Sequence, residues 1–202
     1  WDLDNDKNEY QCQTTTRSKK LNSICLAYRG KYFTQELKRT QAMLRAIGGA
    51  DYLIWDCELL STSLSASANC PRCRERMCQE NYKTMEEFGS AMAHEIFNQL
   101  NNGIRETAIK SKLPVPQIGM YNVDAERLYS RTLQMTPQQP LFDFQNPSLY
   151  TNRSSRVHNH LRGCEKALPE VASIPWLTTA TYGYVGPTEA RLIVWEAFLN
   201  GS

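Results

Sequence analysis

The chain lacks several features that would narrow its class at once. No run of about 18 apolar residues occurs, so no helical membrane span is expected. No charge of one sign dominates: 23 Lys and Arg stand against 21 Asp and Glu, and the basic residues are scattered apart from Arg17, Lys19 and Lys20 and the stretch 72–76. An electrostatic nucleic-acid binder is therefore not expected. Histidine is scarce: His94, His158 and His160 are the three copies, and none shows the spacing of an H-E-x-x-H metal site, so all three are read as structural or solvated. A G-x-S-x-G elbow is also missing, which removes support for a serine-hydrolase triad.

What is present fits one domain with a substantial core, since 202 residues at 41% hydrophobic and 22% charged composition are ordinary for a globular protein. The polar stretch 1–20 is read as an N-terminal segment and 21–202 as the domain. The opening WDLDNDKNEY has neither the basic and apolar regions of a signal peptide nor an initial Met. A processed or excised segment of a longer protein is expected. Seven cysteines, at 12, 25, 57, 70, 73, 78 and 164, accompany two N-glycosylation triplets beginning at Asn152 and Asn200. Jointly these favour an extracellular or cell-surface protein, with the odd cysteine free or paired outside the segment.

Patterning divides the domain into alternating elements. LNSICLAY (21–28) reads as a strand. Apolar residues at three- and four-residue spacing from Phe33 to Ile47 predict a helix that Gly48-Gly49 stops. A strand at 52–57 leads into a loop rich in Ser, Ala and Cys, then an amphipathic helical run over 83–110 that Asn101-Asn-Gly103 could kink or split. Further strands are expected at 117–123, 141–150 and 174–179, with helices at 125–134, 154–167 and 188–199. Trp55 and Trp195 are assigned to the core.

Strand followed by helix, five times over, predicts an α/β fold with a parallel sheet, either open or a (β/α)₈ TIM-like barrel. No Gly-rich phosphate loop follows a strand, and polar or aromatic residues gather at strand C-terminal ends: Tyr28, Asp56, Glu58, Tyr121, Asn122, Tyr150 and Tyr182. Both features favour the barrel, in which those ends converge on one active face. Five units do not close eight strands, so an incomplete barrel segment is expected, with further strands outside 21–202.

The most informative stretch is DYLIWDCE (51–58), an apolar strand running into two carboxylates two residues apart. Alternation of strand side chains puts Asp56 and Glu58 on one face and Cys57 on the other. Two acids on one face can hold one proton between them, as acid-catalysed glycoside cleavage requires. The competing reading is a polar strand end without chemistry.

DYLIWDCE resembles the D-x-x-D-x-D-x-E signature of family-18 chitinases, matching at Asp51, Asp56 and Glu58 but carrying Ile54 in place of the second Asp. Met120-Tyr121-Asn122 is similar to the Met-x-Tyr-Asp or Tyr-Asn segment of a later strand in that family. CLAYRG, PWLTTATYG and EAFLNG resemble a looser set of glycosidase-like barrels, and about 180 residues fall within the likeness. The resemblance implies Glu58 as general acid, Asp56 as the group orienting the substrate N-acetyl, whose carbonyl oxygen is the nucleophile, and Tyr121 as a hydrogen-bond donor to it. WLTTATYGYVG carries no second carboxylate, and Glu189 reads as a first-turn or surface helix residue.

Tyr28, Tyr150, Trp176, Tyr182 and Tyr184 are candidates for binding sugar, since aromatic rings offer flat amphipathic surfaces, and Asn122 is a polar candidate beside Tyr121. Core or surface packing is the alternative for each. In Cys70-x-x-Cys73-x₄-Cys78 a zinc site lacks an evident fourth ligand, and a disulfide-stapled loop over the barrel mouth is the expectation. Neither a metal nor a cofactor is expected. The leading expectation is thus a secreted glycoside hydrolase-like protein acting on a polysaccharide or glycoprotein glycan. Its rival is an inactive barrel that binds glycan or serves as a structural part of an extracellular assembly, with other protein subunits as partners.

Overall fold

A computed structural model describes residues 25–56, 66–122, 141–151, 153–169, 171–178 and 185–200. These fall into two compact units. The first takes the described residues up to Asp51 and from 66 to Pro116, and the second takes 52–56 and everything described from Gln117 onward.

The first unit holds α1 (Lys31–Ala46), α2 (Pro71–Gln79) and α3 (Met85–Lys110), the last two joined by a short turn. Residues 25–30 form a turn, closed by Tyr28 N–H donating to the Cys25 carbonyl at 3.0 Å, where the sequence suggested the end of a strand. The Arg29 guanidinium stabilises that turn by donating to the carbonyls of Leu26 and Tyr28 at 2.7 and 2.8 Å. The Cys-rich stretch also differs from expectation. From Pro71 it is helical, because Pro at the first helical position loses no hydrogen bond and presets φ. Helix α1 ends as Gly48-Gly49 predicts: both take positive φ, and Gly49 N–H returns to the Leu44 carbonyl at 3.0 Å.

Helix α3 runs unbroken through Asn101-Asn-Gly103. The missing side chain of Gly103 is what lets α1 approach: a Cβ there would stand 2.8 Å from a Leu37 methyl, and Gln41 Nε2 donates to the Gly103 carbonyl at 3.0 Å. Close packing offsets the poor helix propensity of glycine. The core of this unit gathers Cys25, Leu26, Cys70, Cys73, Phe88 and Met92.

The second unit is a curled, all-parallel sheet with helices, giving a mixed α/β protein. Its strands are β1 (Tyr52–Asp56), β2 (Gln117–Asn122), β3 (Phe144–Tyr150), β4 (Ala172–Ser173) and β5 (Trp176–Thr178), and its helices α4 (Ser155–Ala167) and α5 (Pro187–Leu199). The order is β1-β2-β3-β4, with β5 also on β3. Strands β4 and β5 are one edge interrupted at Ile174-Pro175. Pairing stops at Gln145↔Ser173 and resumes at Ser148↔Trp176, which sets Asn146-Pro147 against the break. Two prolines that cannot donate to a ladder thus fall together where none is needed. Asn146 Nδ2 donates to the Ile174 carbonyl and bridges the gap.

One face of the sheet packs on helices: Leu149 and Leu177 meet Val157 and Leu161 of α4 and Ile193 and Ala197 of α5. Trp195 does not join that core. It is 58% exposed and lies edge-on to Phe198, contrary to its assignment from sequence. Helix α5 is apolar at most positions, so periodicity does not reveal which stripe is covered; Ile193 and Ala197, four apart, are the buried pair. Trp55 is half-buried. The short helix expected at 125–134 lies outside the described residues.

Candidate active face at the strand carboxyl ends

Parallel pairing without stagger of parity puts residues in register on the same face. Tyr52↔Gln117, Ile54↔Gly119 and Asp56↔Tyr121 link β1 to β2, and Gly119↔Phe144 and Tyr121↔Asn146 continue to β3. One face of the sheet therefore carries, layer by layer towards the carboxyl ends, Ile54, Gly119 and Phe144, then Asp56, Tyr121 and Asn146. The close approach in the lower layer depends on Gly119, where a Cβ would stand 2.3 Å from the Phe144 ring. Phe144 is held in turn by an edge-to-face contact with Tyr52 at 5.8 Å.

The upper layer is the chemical one. Asp56 is exposed at the end of β1, beside its register partner Tyr121, which is buried. Tyr121 Oη donates to Ser148 Oγ at 2.9 Å, and its ring meets the Trp176 ring edge-on at 6.5 Å. Trp176 itself is 54% exposed, so a carboxylate, a fixed phenol and an open indole share one end of the sheet. Such a row can bind a polar ring: the indole covers an apolar face while Asp56 accepts from hydroxyl or amide groups.

Of the residues singled out from sequence, Asp56, Tyr121 and Trp176 come together. Glu58, Tyr182, Tyr184 and Asn152 lie outside the described residues. Asn122 and Tyr150 are placed by register alone, opposite Pro147 and Thr178. Tyr28 belongs to the first unit, where the Arg72 guanidinium lies over its ring at 5.5 Å. Asn200 caps α5, donating through Nδ2 to the Glu196 carbonyl at 2.7 Å and facing His158 Nδ1 with Oδ1 at the same distance. Glu189 falls in the first turn of α5, as expected, and accepts from Ser154 N–H at the start of α4.

Ser148 and Asn146 are the residues that sequence reasoning missed. Their signal was the two-residue spacing with Phe144 in LFDFQNPSLY, which puts three side chains on one face.

The cysteines differ from the expected staple. No two described cysteines stand at bonding distance; Cys70 and Cys73 open α2, Cys78 is exposed, and the third sulfur beside the C-x-x-C pair is that of Cys25. Cys25 Sγ lies 3.7 Å from Cys70 Sγ and 3.5 Å from Cys73 Sγ. These are van der Waals separations, well beyond the roughly 2.05 Å of a disulfide. No protein-family model matches the chain, and no curated protein or solved structure matches it either.

Proposed function

We propose that the parallel sheet is an arc of a (β/α)₈ barrel and that its carboxyl-end face makes the protein an extracellular, glycan-directed glycoside hydrolase. The observation that supports this reading is the row formed by Asp56, its register partner Tyr121 and the exposed Trp176. In this reading Trp176 stacks on a sugar ring, Asp56 orients the N-acetyl group of the bound unit, and Tyr121 turns its one O–H from Ser148 Oγ to the same group, accepting from the Ser148 hydroxyl in exchange. Glu58, two residues beyond Asp56, protonates the leaving oxygen, and the substrate's own carbonyl serves as nucleophile.

A second reading is favoured by one observation, the Ile54 side chain on the same face as Asp56 and 42% exposed. An aliphatic residue there relays no proton, which suits a barrel that binds glycan without cleaving it.

Hydrolysis of a panel of chitin-like and other oligosaccharides separates the two. Turnover that falls by about two orders of magnitude or more in Glu58→Gln, with glycan binding retained, supports the hydrolase. Binding without turnover in the unaltered protein supports the second reading. Under either, Trp176→Ala weakens glycan binding by about 1 kcal/mol, and unchanged affinity in that variant would remove the face as the binding site.

A further inference from the structure

Three buried sulfurs converge in the first unit from two parts of the chain 45 residues apart. Cys25 comes from the turn before α1, Cys70 is the N-cap of α2, and Cys73 lies in the first turn of that helix. All three sulfurs lie within 4.8 Å of one another. Packing alone does not require this, since buried cysteines serving as small apolar residues have no reason to aim at a common point.

We propose that Cys25, Cys70 and Cys73 bind one zinc ion through their thiolates. A tetrahedral zinc with Zn–S bonds of about 2.3 Å sets neighbouring sulfurs roughly 3.8 Å apart. The separations of 3.5 and 3.7 Å from Cys25 are close to that edge and the Cys70–Cys73 pair lies within 4.8 Å, so rotation of the thiol side chains can accommodate the ion. A four-iron cluster, bound through one thiolate at each iron corner, would hold the sulfurs farther apart. The C-x-x-C spacing at a helix start is itself a common half of a structural zinc site. Sequence alone pointed to Cys78 as the third member, and the fold replaces it with Cys25. The described residues supply three of zinc's four positions.

A zinc–thiolate site carries negative charge, and positive groups surround this one. The start of α2 sets the positive end of the helix dipole beside Cys70 and Cys73. Arg29, four residues from Cys25, adds positive charge to the same region. Both ligand-bearing parts are also anchored to one carboxylate on α3: Glu95 accepts from Arg29 Nε and from Arg76 Nη2, each at 2.7 Å. Arg29 grips the Cys25 turn and Arg76 lies on α2, so Glu95 holds the two halves of the site in place as outer partners of metal ligands do. On binding, each thiol loses its proton to solvent as its sulfur bonds zinc.

The test uses the full chain, purified without chelator and without added metal. About one zinc per chain by elemental analysis is the expected result. Cobalt(II) replacing the zinc should give the intense visible bands of a tetrahedral site and a thiolate charge-transfer band. Both should be lost in Cys25→Ser, Cys70→Ser and Cys73→Ser and kept in Cys78→Ser. Because a serine variant could simply fail to fold, alkylation of the unaltered protein is measured as well: Cys25, Cys70 and Cys73 should be protected until zinc is chelated, and Cys78 labelled throughout. Absence of stoichiometric zinc would overturn the proposal. So would iron with labile sulfide, a disulfide between any two of the three, or cobalt bands that survive Cys25→Ser.

Discussion

At the scale of single residues, Gly119 decides whether the candidate face can form. Its neighbour Phe144 is 2% exposed and its ring edge occupies the space a side chain would need, so the ring or the backbone must move to admit one. Overpacking of this kind costs about 1–3 kcal/mol. Gly119→Ala should therefore destabilise the second unit by that amount and blunt glycan binding through the adjacent Tyr121, as read by urea unfolding and a binding isotherm. Neutral behaviour would mean that the sheet relaxes without strain at this point. Tyr121 itself shows why a residue's role is not legible from its type. A tyrosine at a strand end reads equally as cleft or core, and only its bond to Ser148 and its contact with Trp176 tie it to the open end of the sheet.

At the scale of elements, caps and clamps carry much of the local order. Helix α3 begins with a reciprocal capping box: Glu87 N–H donates to Thr84 Oγ1 at 3.1 Å, and Thr84 N–H donates to the Glu87 carboxylate at 3.3 Å. Thr84→Ala leaves one of the orphan amides exposed and should cost about 1 kcal/mol in chemical unfolding. Glu95 joins α3 to α2 and to the turn before α1. Burial works against its ionisation, but the hydrogen bonds and charges of Arg29 and Arg76 outweigh that and hold its carboxyl below the usual range. For Arg29 burial is the larger effect and lowers its affinity for protons, although a guanidinium remains charged at any working pH. Arg76 is also opposed by burial, yet its bonds to Glu80 and Glu95 raise it. Since the folded pKa of Glu95 lies below its unfolded value, the clamp contributes fully above the unfolded value and is lost as pH falls through the folded one. Metal-free protein should lose stability over this acid range, and Glu95→Gln should be less stable at neutral pH with a flatter acid limb. Parallel pH profiles for the two proteins would place the carboxylate outside the stabilising network.

At the scale of the whole molecule, helices α1, α3, α4 and α5 and strands β1 to β3 were all legible. Apolar periodicity and Pro or Gly punctuation act over a few residues and leave their mark in the chain. Three readings failed for physical reasons that apolar periodicity does not carry. The stretch 25–28 has the composition of a strand but is a turn, because Arg29 captures its carbonyls. The Cys-rich stretch became helix from a proline-started turn packed on Phe88 and Met92. Trp195 stayed outside because α5 offers more apolar surface than α4 covers. By itself the sequence determined the alternation of parallel strands with helices, and the placing of Asp56 at a strand's carboxyl end, since both follow from residue spacing within one element. Only the tertiary structure decided that Tyr121, Ser148 and Trp176 share a face with Asp56 and that Cys25, rather than Cys78, meets Cys70 and Cys73. Those outcomes depend on strand register and on the return of the chain over tens of residues, which no local pattern encodes.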